Sequence, residues 1–389
     1  MQTDIQKTGW KPCSMNRVDQ YLSGKLSERI TVGNLRKLST VRAQVDFFSN
    51  DYLGLATTEV LERLMGPLEK GIHGTGSTGS RLLSGNSTHA EELEQAIATF
   101  HSAEAALIFN SGYDANIGLL SSIAGRDTTI LSDELCHASL IDGIRLSISN
   151  RKYKFRHNDL DDLGTKLSKY SGQGNTIVVV ESVYSMDGDE APLENLVRLC
   201  EKYNAQIIVD EAHATGVIGS RGEGAVCAAG LQDKVFARVH TFGKALGCHG
   251  AAVVGSSLLK QYLINFARTF IYTTALPAHA VLAASTAYLY LSSDGFTNEP
   301  LHQLIVYFRG RINSSGDKVW KDSYTAIQAL VVGDNDRCKQ LALRIQQAGL
   351  QVNPILHPTV PLGMERLRIC LHTFNNKEQV DLLFDILEG

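Results

Sequence analysis

The sequence predicts an α/β protein in which helices cover both faces of a mostly parallel sheet, giving three layers. From about residue 50 to residue 285, apolar runs of four to six residues alternate with helical patterns, as in Ala105–Phe109, Thr176–Val180 and Gln206–Val209. After residue 285 the pattern changes to strands and helices typical of a smaller C-terminal α+β domain. We expect three parts: an N-terminal segment (1–49), a large domain (50–285) and a small domain (286–389).

Individual elements follow from local signals. A helix is expected to follow Thr88 as its N-cap, because Thr88 and Glu91 have the spacing of a capping box and Leu93 and Ile97 fall on one face. A shorter helix is predicted over residues 61–70. In the small domain the patterns predict strands over residues 324–332, 350–356 and 366–372, and helices over residues 335–348 and 377–387.

Composition excludes several classes of protein. The chain has 389 residues with 37 Lys and Arg against 41 Asp and Glu, and this formal charge of −4 argues against a nucleic-acid-binding protein. The seven cysteines form no CxxC pair, so neither a disulfide framework nor a metal site is expected. No signal peptide and no apolar stretch of membrane-spanning length is visible. We therefore expect a cytoplasmic protein without a membrane partner.

Two motifs resemble nucleotide-binding signatures, but their contexts do not fit. The run Gly74–Gly79 has the GxGxxG spacing, yet a predicted helix precedes it where a dinucleotide-binding fold needs a strand. The run DEAH at residues 210–213 follows an apolar strand as in a helicase, yet no GxxxxGK[ST] phosphate loop accompanies it. Asp210 and His213 could also bind a metal or only orient a loop.

Polar residues follow the predicted strands at the edge where α/β proteins bind ligands. Asp210 ends one strand, Ser185 closely follows another, and Gly112 and Tyr113 open a helix whose N-terminus suits an anion, although an ordinary strand-to-helix turn is an alternative. Lys244 lies among Phe, Gly, Ala and Leu, surroundings that lower the pKa of a lysine and favour attack of its amine on a carbonyl, although an exposed loop lysine is the alternative. Together these residues favour a Schiff base with pyridoxal phosphate, whose ring nitrogen an Asp keeps protonated.

The same residues lie in a longer series of motifs. In chain order they are SNDYLGL (49–55), GTGSTGSRLLSGN (74–86), SGYDAN (111–116), CHASL (136–140), ESVYSMDGD (181–189), IIVDEAHATGVIG (207–219), TFGKALG (241–247) and IYTTALP (271–277). This series resembles the α-oxoamine synthases, which are pyridoxal-phosphate enzymes with the aspartate-aminotransferase fold (fold type I). The resemblance runs from about residue 33 to the C-terminus.

The resemblance implies a role for each matching residue. Lys244 would be the lysine that carries the cofactor, Asp210 the partner of its ring nitrogen, His213 the partner of its phenolic oxygen, and His137 the histidine stacked on its ring. Further cofactor contacts are implied for Gly112, Tyr113, Ser185, Thr241, Thr273 and Thr274, the two adjacent threonines reaching the phosphate from the other subunit of a homodimer. Substrate contacts are implied for Arg36, Asn50, His137, Thr359 and Arg368, with Arg368 the best candidate to bind an amino-acid carboxylate.

The implied activity is a decarboxylative condensation of an amino acid with an acyl thioester. Two later stretches, AIQALVVGDN (326–335) and PTVPLGMERLRICL (358–371), are most similar to the family member that joins L-alanine to a pimeloyl thioester, carried on coenzyme A or a carrier protein, in biotin synthesis. Glycine with acetyl-CoA or succinyl-CoA is the enzymatic alternative, because one methyl group gives only modest discrimination. A non-catalytic scaffold subunit is the alternative of another class, and the presence of Lys244 argues against it.

Overall fold

The computed structural model describes residues 16–38, 40, 43–68, 75–172, 174–314 and 318–388. Much of the predicted N-terminal segment and Gly74 of the glycine motif lie outside these residues. The strands are β1 (Val45–Asp46), β2 (Ala105–Phe109), β3 (Thr129–Asp133), β4 (Arg151–Phe155), β5 (Thr176–Glu181), β6 (Gln206–Asp210), β7 (Ala237–Thr241), β8 (Ala251–Gly255), β9 (Ile327–Val331), β10 (Leu350–Gln351), β11 (Asn353–Ile355) and β12 (Arg366–Cys370).

Helices alternate with these strands along the chain, as the sequence predicts. They are α1 (Arg17–Thr31), α2 (Val60–Met65), α3 (Thr88–Phe100), α4 (Gly112–Ile123), α5 (Ala138–Leu146), α6 (Leu160–Tyr170), α7 (Leu193–Lys202), α8 (Ala225–Ala228), α9 (Ser257–Phe266), α10 (Arg268–Ile271), α11 (Ala278–Leu291), α12 (Glu299–Ser314), α13 (Asn335–Gln347) and α14 (Lys377–Glu388). Among the described residues, none of these helices combines the length and the apolar character that crossing a membrane requires.

A seven-stranded sheet forms the centre of the molecule, in the order β2-β8-β7-β6-β5-β3-β4. Strand β8 runs antiparallel to both of its neighbours, and the remaining pairs are parallel. Alternate residues of each strand point to opposite faces. Val178 and Val180 of β5 accordingly join one apolar cluster with α3, α6 and α7, whereas Ile177 and Val179 join a second cluster with α4, α5 and α9. The predicted three-layer α/β fold is confirmed.

The C-terminal residues form a second, three-stranded sheet in the order β11-β12-β9, with antiparallel pairing throughout. The predicted strand over residues 350–356 is in fact two strands. Strand β10 pairs in parallel with β1, and β11 pairs with β12, so the chain changes partner at Val352. The N-terminal β1 is thereby attached to the C-terminal part of the chain, a pairing that no local pattern signals.

The predicted N-cap of α3 is wrong by one residue. Ser87, not Thr88, is the N-cap, because its side chain accepts the Ala90 N–H while Thr88 already has helical geometry. The Glu91 carboxylate accepts from the Asn86 side chain at 2.7 Å and so does not complete a capping box with Thr88. Either hydroxyl residue fits the sequence signal, and the backbone geometry decides between them.

A tight contact at Gly188 joins the loop after β5 to the small sheet. Gly188 has φ +76°, and a Cβ atom there would overlap the carbonyl oxygen of Ile327. The Ser323 and Thr325 hydroxyls both donate to the Gly188 carbonyl at 2.9 Å. Only glycine meets both the backbone and the packing requirement at this position.

We predict that Gly188→Ala lowers the free energy of unfolding more than Gly230→Ala does. Gly230 has a similar φ of +66° but open space around it, so it measures the backbone cost alone. Overpacking should add about 1–3 kcal/mol at Gly188. Urea unfolding followed by circular dichroism measures both variants. Equal destabilisation by the two substitutions would contradict the claim that the Ile327 contact constrains this loop.

Candidate active site

The carboxyl edge of the large sheet collects the predicted site residues. Strands β5, β6 and β7 are parallel and end at Glu181, Asp210 and Thr241, so the loops that follow them leave from the same edge. Those loops carry Ser185, His213 and Lys244. The structure thus places Ser185, His213 and Lys244 in loops at the edge of the sheet where α/β proteins bind ligands.

Lys244 is the first member of a buried hydrogen-bonded chain. Its Nζ lies 2.7 Å from Nε2 of His213, and Nδ1 of His213 lies 2.7 Å from the Tyr52 hydroxyl. Tyr52 donates its one proton to Oδ1 of Asn50 at 3.1 Å, so its oxygen accepts from Nδ1–H of His213. Nε2 of His213 is then free to accept a hydrogen bond from the Lys244 amine.

Arg368 extends this chain from the small sheet. Its guanidinium donates to Oδ1 of Asn50 at 2.9 Å, to the Ser185 carbonyl at 2.6 Å and to Sγ of Cys370 at 2.9 Å. The residue is 7% exposed and forms no ion pair among the described residues. A buried guanidinium with only neutral partners favours binding of an anion, which would be stabilised bidentately.

A second chain of contacts connects Asp210 with His137. Oδ1 of Asp210 accepts the Ala212 N–H at 2.8 Å, and Oδ2 accepts from the Asn116 side chain at 2.7 Å. Asn116 also donates to Oγ of Ser139 at 2.9 Å, and that oxygen lies 2.8 Å from Nδ1 of His137. Both Asp210 oxygens are therefore fixed in orientation.

Burial changes the protonation of the group. It lowers the pKa of Lys244 to about 8, against the opposing attraction of the Asp210 and Glu181 carboxylates. Burial likewise lowers the pKa of His213 well below its ordinary value, and the Lys244 charge lowers it further. Burial and the neighbouring Asp210 raise the pKa of Glu181 to about 8. The site thus favours a neutral amine and a neutral imidazole in contact.

The start of α4 lies beside Thr241. The Ser111 side chain caps this helix by accepting the Asp114 N–H at 3.1 Å, and Gly112 is its first residue. A Cβ atom on Gly112 would come within 3.4 Å of Thr241, so the glycine leaves room between the helix start and that hydroxyl. The side chain of Tyr113 turns away and donates to Asp142 at 2.5 Å. The free N–H groups of this first turn suit an anion such as phosphate.

Thr273 and Thr274 lie next to the same turn within the chain. The Asn110 side chain donates to the Thr273 hydroxyl at 2.8 Å and to the Thr274 carbonyl at 2.9 Å. The contacts in this chain place both residues at the end of β2, not beside Lys244. That both residues contact the cofactor phosphate in the other subunit of a homodimer stays a prediction.

Arg36 and Thr359 form a separate group. The Arg36 guanidinium lies 3.4 Å from the Thr359 hydroxyl, and both line a cleft of about 630 Å³. Met186, which follows Ser185 in the chain, lines the same cleft. The cleft therefore lies close to the Lys244 group but is not part of its hydrogen-bonded chains.

The comparisons with known proteins agree with this arrangement. The model of the class I and II aminotransferases matches residues 42–386, and the chain belongs to that family. It is 42% identical over 374 residues to an 8-amino-7-oxononanoate synthase of Emericella nidulans, with 90% of each chain covered.

Two solved structures are also similar to this chain. One is a serine palmitoyltransferase variant from S. paucimobilis with bound pyridoxal phosphate and myriocin, which shares 26% identity at a TM-score of 0.87 over 96% of this chain and 98% of that chain. The other is the 8-amino-7-oxononanoate synthase of Francisella tularensis, with 28% identity and a TM-score of 0.76 over 88% of this chain and 96% of that chain. The predicted aspartate-aminotransferase type of fold is confirmed.

Sequence reasoning missed four residues that the structure places in the site. Tyr52, Asn116, Ser139 and Glu181 all occur within motifs that the resemblance rests on, but none was given a role. Their positions inside SNDYLGL, SGYDAN, CHASL and ESVYSMDGD were the available signal. The sequence could not predict how these side chains are oriented, because only the folded chain shows which of them turn toward Asp210 and Lys244.

We predict that the cofactor-free protein binds pyridoxal phosphate covalently at a rate that rises with pH and reaches half its maximum near pH 8. The neutral amine is the nucleophile, and burial lowers the pKa of Lys244 from 10.5 to about 8. Stopped-flow absorbance measures the rate, with an N-acetyl-lysine amide in the same buffers as the baseline for an exposed amine. A half-maximum shared with that free amine would contradict the prediction.

Proposed function

We propose that the chain is a pyridoxal-phosphate-dependent acyltransferase that condenses L-alanine with a pimeloyl thioester. The products are 8-amino-7-oxononanoate, carbon dioxide and the free thiol carrier, as in biotin synthesis. The names of the similar proteins support this reaction. The observation that carries the proposal is a buried lysine of lowered pKa beside Asp210, together with a buried arginine that has no ion pair among the described residues.

The residues present fit the cofactor. Lys244 offers an amine for its aldehyde, and Asp210, with both oxygens oriented, offers a carboxylate for its ring nitrogen. The helix start at Gly112 and the Thr241 hydroxyl offer donors for its phosphate. His137 and Ser185 complete the proposed contacts. When bound, pyridoxal phosphate supplies an electron sink that stabilises negative charge at the α-carbon of an amino acid.

Lys244 is the proposed proton carrier at the α-carbon. A pKa of about 8 leaves a useful fraction of the amine neutral near pH 7 and lets it both accept and return a proton. The contact with His213 fixes the direction of the amine. The remaining bond changes join the α-carbon of alanine to the acyl carbonyl, release the thiol and expel the alanine carboxylate as carbon dioxide.

Arg368 is the proposed binding group for the alanine carboxylate. Its contacts with Asn50, Ser185 and Cys370 hold the planar guanidinium without neutralising it. A carboxylate would then be the missing counter-charge of a buried cation. The proposal therefore places alanine between Arg368 and Lys244. These two residues are the ends of the hydrogen-bonded chain described above.

The cleft at Arg36 is the proposed entrance for the acyl thioester. Cations on its wall suit the phosphates of coenzyme A or of a carrier-protein prosthetic group; they are Arg29, Arg36, Lys37 and Lys339.

We also propose a homodimer with Thr273 and Thr274 at the partner's site, and a cytoplasmic location. Two domains are proposed over residues 50–285 and 286–389, since each range contains its own sheet.

We predict that purified protein loaded with pyridoxal phosphate releases thiol fastest with L-alanine and pimeloyl-CoA. The comparison pairs are glycine with acetyl-CoA and glycine with succinyl-CoA, followed with a thiol-reactive dye and by mass spectrometry of the product. A preference of about 10-fold or more for alanine is expected if the pocket uses the extra methyl group. Faster turnover with glycine and acetyl-CoA would contradict the proposed substrates, and absence of turnover with every pair would favour a scaffold.

A further inference from the structure

Asn116 and Ser139 connect two residues of the proposed cofactor site, although neither has a role in the reaction proposed above. Both are 1% exposed, on α4 and at the start of α5. A Cβ atom on Gly143 of α5 would lie only 2.8 Å from the Asn116 carbonyl, so the two helices are in near contact. That close approach keeps the Asn116 amide beside the Ser139 hydroxyl.

The number of available protons sets the direction of the hydrogen bonds. The Asn116 amide has two protons, and they go to Oδ2 of Asp210 and Oγ of Ser139. Ser139 therefore uses its oxygen as an acceptor from Asn116 and has its single proton left for Nδ1 of His137, at 2.8 Å. The reverse orientation of the amide would set its carbonyl oxygen 2.7 Å from the Asp210 carboxylate, where two acceptors repel.

His137 receives a second donor at the same nitrogen. The backbone N–H of Ser139 lies 3.2 Å from Nδ1 of His137, which makes His137 the N-cap of α5. With two donors facing it, Nδ1 has to be the unprotonated nitrogen of a neutral ring. Burial lowers the pKa of His137 and so favours that neutral ring. The backbone N–H of His137 is held by Glu181 at 2.5 Å, so both the main chain and the ring are fixed.

The orientation of Asn116 has a cost. Its Oδ1 is buried and has no hydrogen-bond partner among the described residues. An unpartnered buried carbonyl oxygen is unfavourable, so the two N–H donors, and not the oxygen, make the contacts that hold this amide in place.

We infer that Asn116 and Ser139 are positioning residues. Together they hold His137 as its Nε2–H tautomer, and Asn116 also orients the Asp210 carboxylate. The inference rests on the proposed function for the roles of His137 and Asp210. Nε2–H is then the only donor of the His137 ring, and the ring is prepared to donate to an oxygen of the substrate. Loss of Ser139 frees the tautomer of His137, and loss of Asn116 also removes the donor that orients Oδ2 of Asp210.

The test is a nitrogen-15 NMR measurement of histidine ring nitrogens in the holoenzyme near pH 8, with the His137 signals assigned by their loss in His137→Gln. The expected wild-type signals are a protonated Nε2 and an unprotonated Nδ1. Ser139→Ala should shift both signals toward a mixture of tautomers, and Ser139→Thr should restore them. Ser147→Ala is the matched control. Ser147 is the C-cap of α5, and its buried hydroxyl donates a hydrogen bond to the Ile144 carbonyl.

A protonated Nδ1 in the wild type, or signals unchanged in Ser139→Ala, would overturn the inference. If Ser139→Ala does not fold, Ser139→Cys provides the weaker donor of similar size and should give an intermediate shift. Because the NMR signals need no substrate, a wild type that shows the expected tautomer but no turnover would refute the proposed reaction and leave this inference standing.

Kinetics give a second readout. Asn116→Ala should lower kcat with alanine and pimeloyl-CoA on the order of 10²-fold, as expected when a reacting group is misplaced, with a smaller change in KM. Asn298→Ala is the control, because Asn298 is also buried and donates two hydrogen bonds, to the Val217 and Gly219 carbonyls. Asn298→Ala should lower the melting temperature and leave kcat unchanged. Equal loss of kcat in both variants would show that Asn116 acts only through stability.

Discussion

The contact between the Lys244 amine and the His213 imidazole, 2.7 Å apart and buried, is the constraint on which the rest of the site depends. Two bases at this distance cannot both be positively charged, and burial makes even one charge costly, so the pKa of His213 is well below its ordinary value. Burial itself lowers the pKa of Lys244 to about 8, in spite of the Asp210 and Glu181 carboxylates nearby. A lysine in this state can act as a nucleophile and as a proton carrier, which an exposed lysine cannot do near pH 7.

Both sheets contribute residues to the site around that contact. The large sheet delivers Lys244, His213 and Asp210 to its carboxyl edge, whereas Arg368 comes from the small sheet. The segment after β1 closes the gap, since the Cys370 N–H donates to the Phe47 carbonyl and the Thr373 N–H donates to the Tyr52 carbonyl, both at 2.9 Å. These backbone bonds hold the Asn50 side chain between the lysine and arginine ends of the chain of contacts. Residues far apart in sequence therefore belong to one chain of hydrogen bonds, which runs from Lys244 to Arg368.

The large sheet and most of the site could be predicted from the sequence. The remaining features could not, for physical reasons. Apolar runs with flanking Asp210 and Lys244 predict strands and their ligand-binding edge, because burial and strand ends leave local signals. The attachment of β1 to β10 leaves none, because two-residue strands carry no pattern. Asn116 likewise looks like any helical asparagine until the fold shows it against Asp210. The roles carried over from the family resemblance remain predictions for single residues such as Thr274, whose neighbours lie within one chain.

Reduction of the holoenzyme with borohydride followed by peptide mass spectrometry tests the central claim most directly. Reduction makes the link between an amine and pyridoxal phosphate permanent, so the modified residue can be read from the peptide mass. The account predicts a single modified peptide that contains Lys244, its loss in Lys244→Ala, and its retention in Lys202→Ala, which alters an exposed lysine on α7. A cofactor attached to a different lysine, or an unmodified Lys244 in protein that turns over its substrates, would contradict the account.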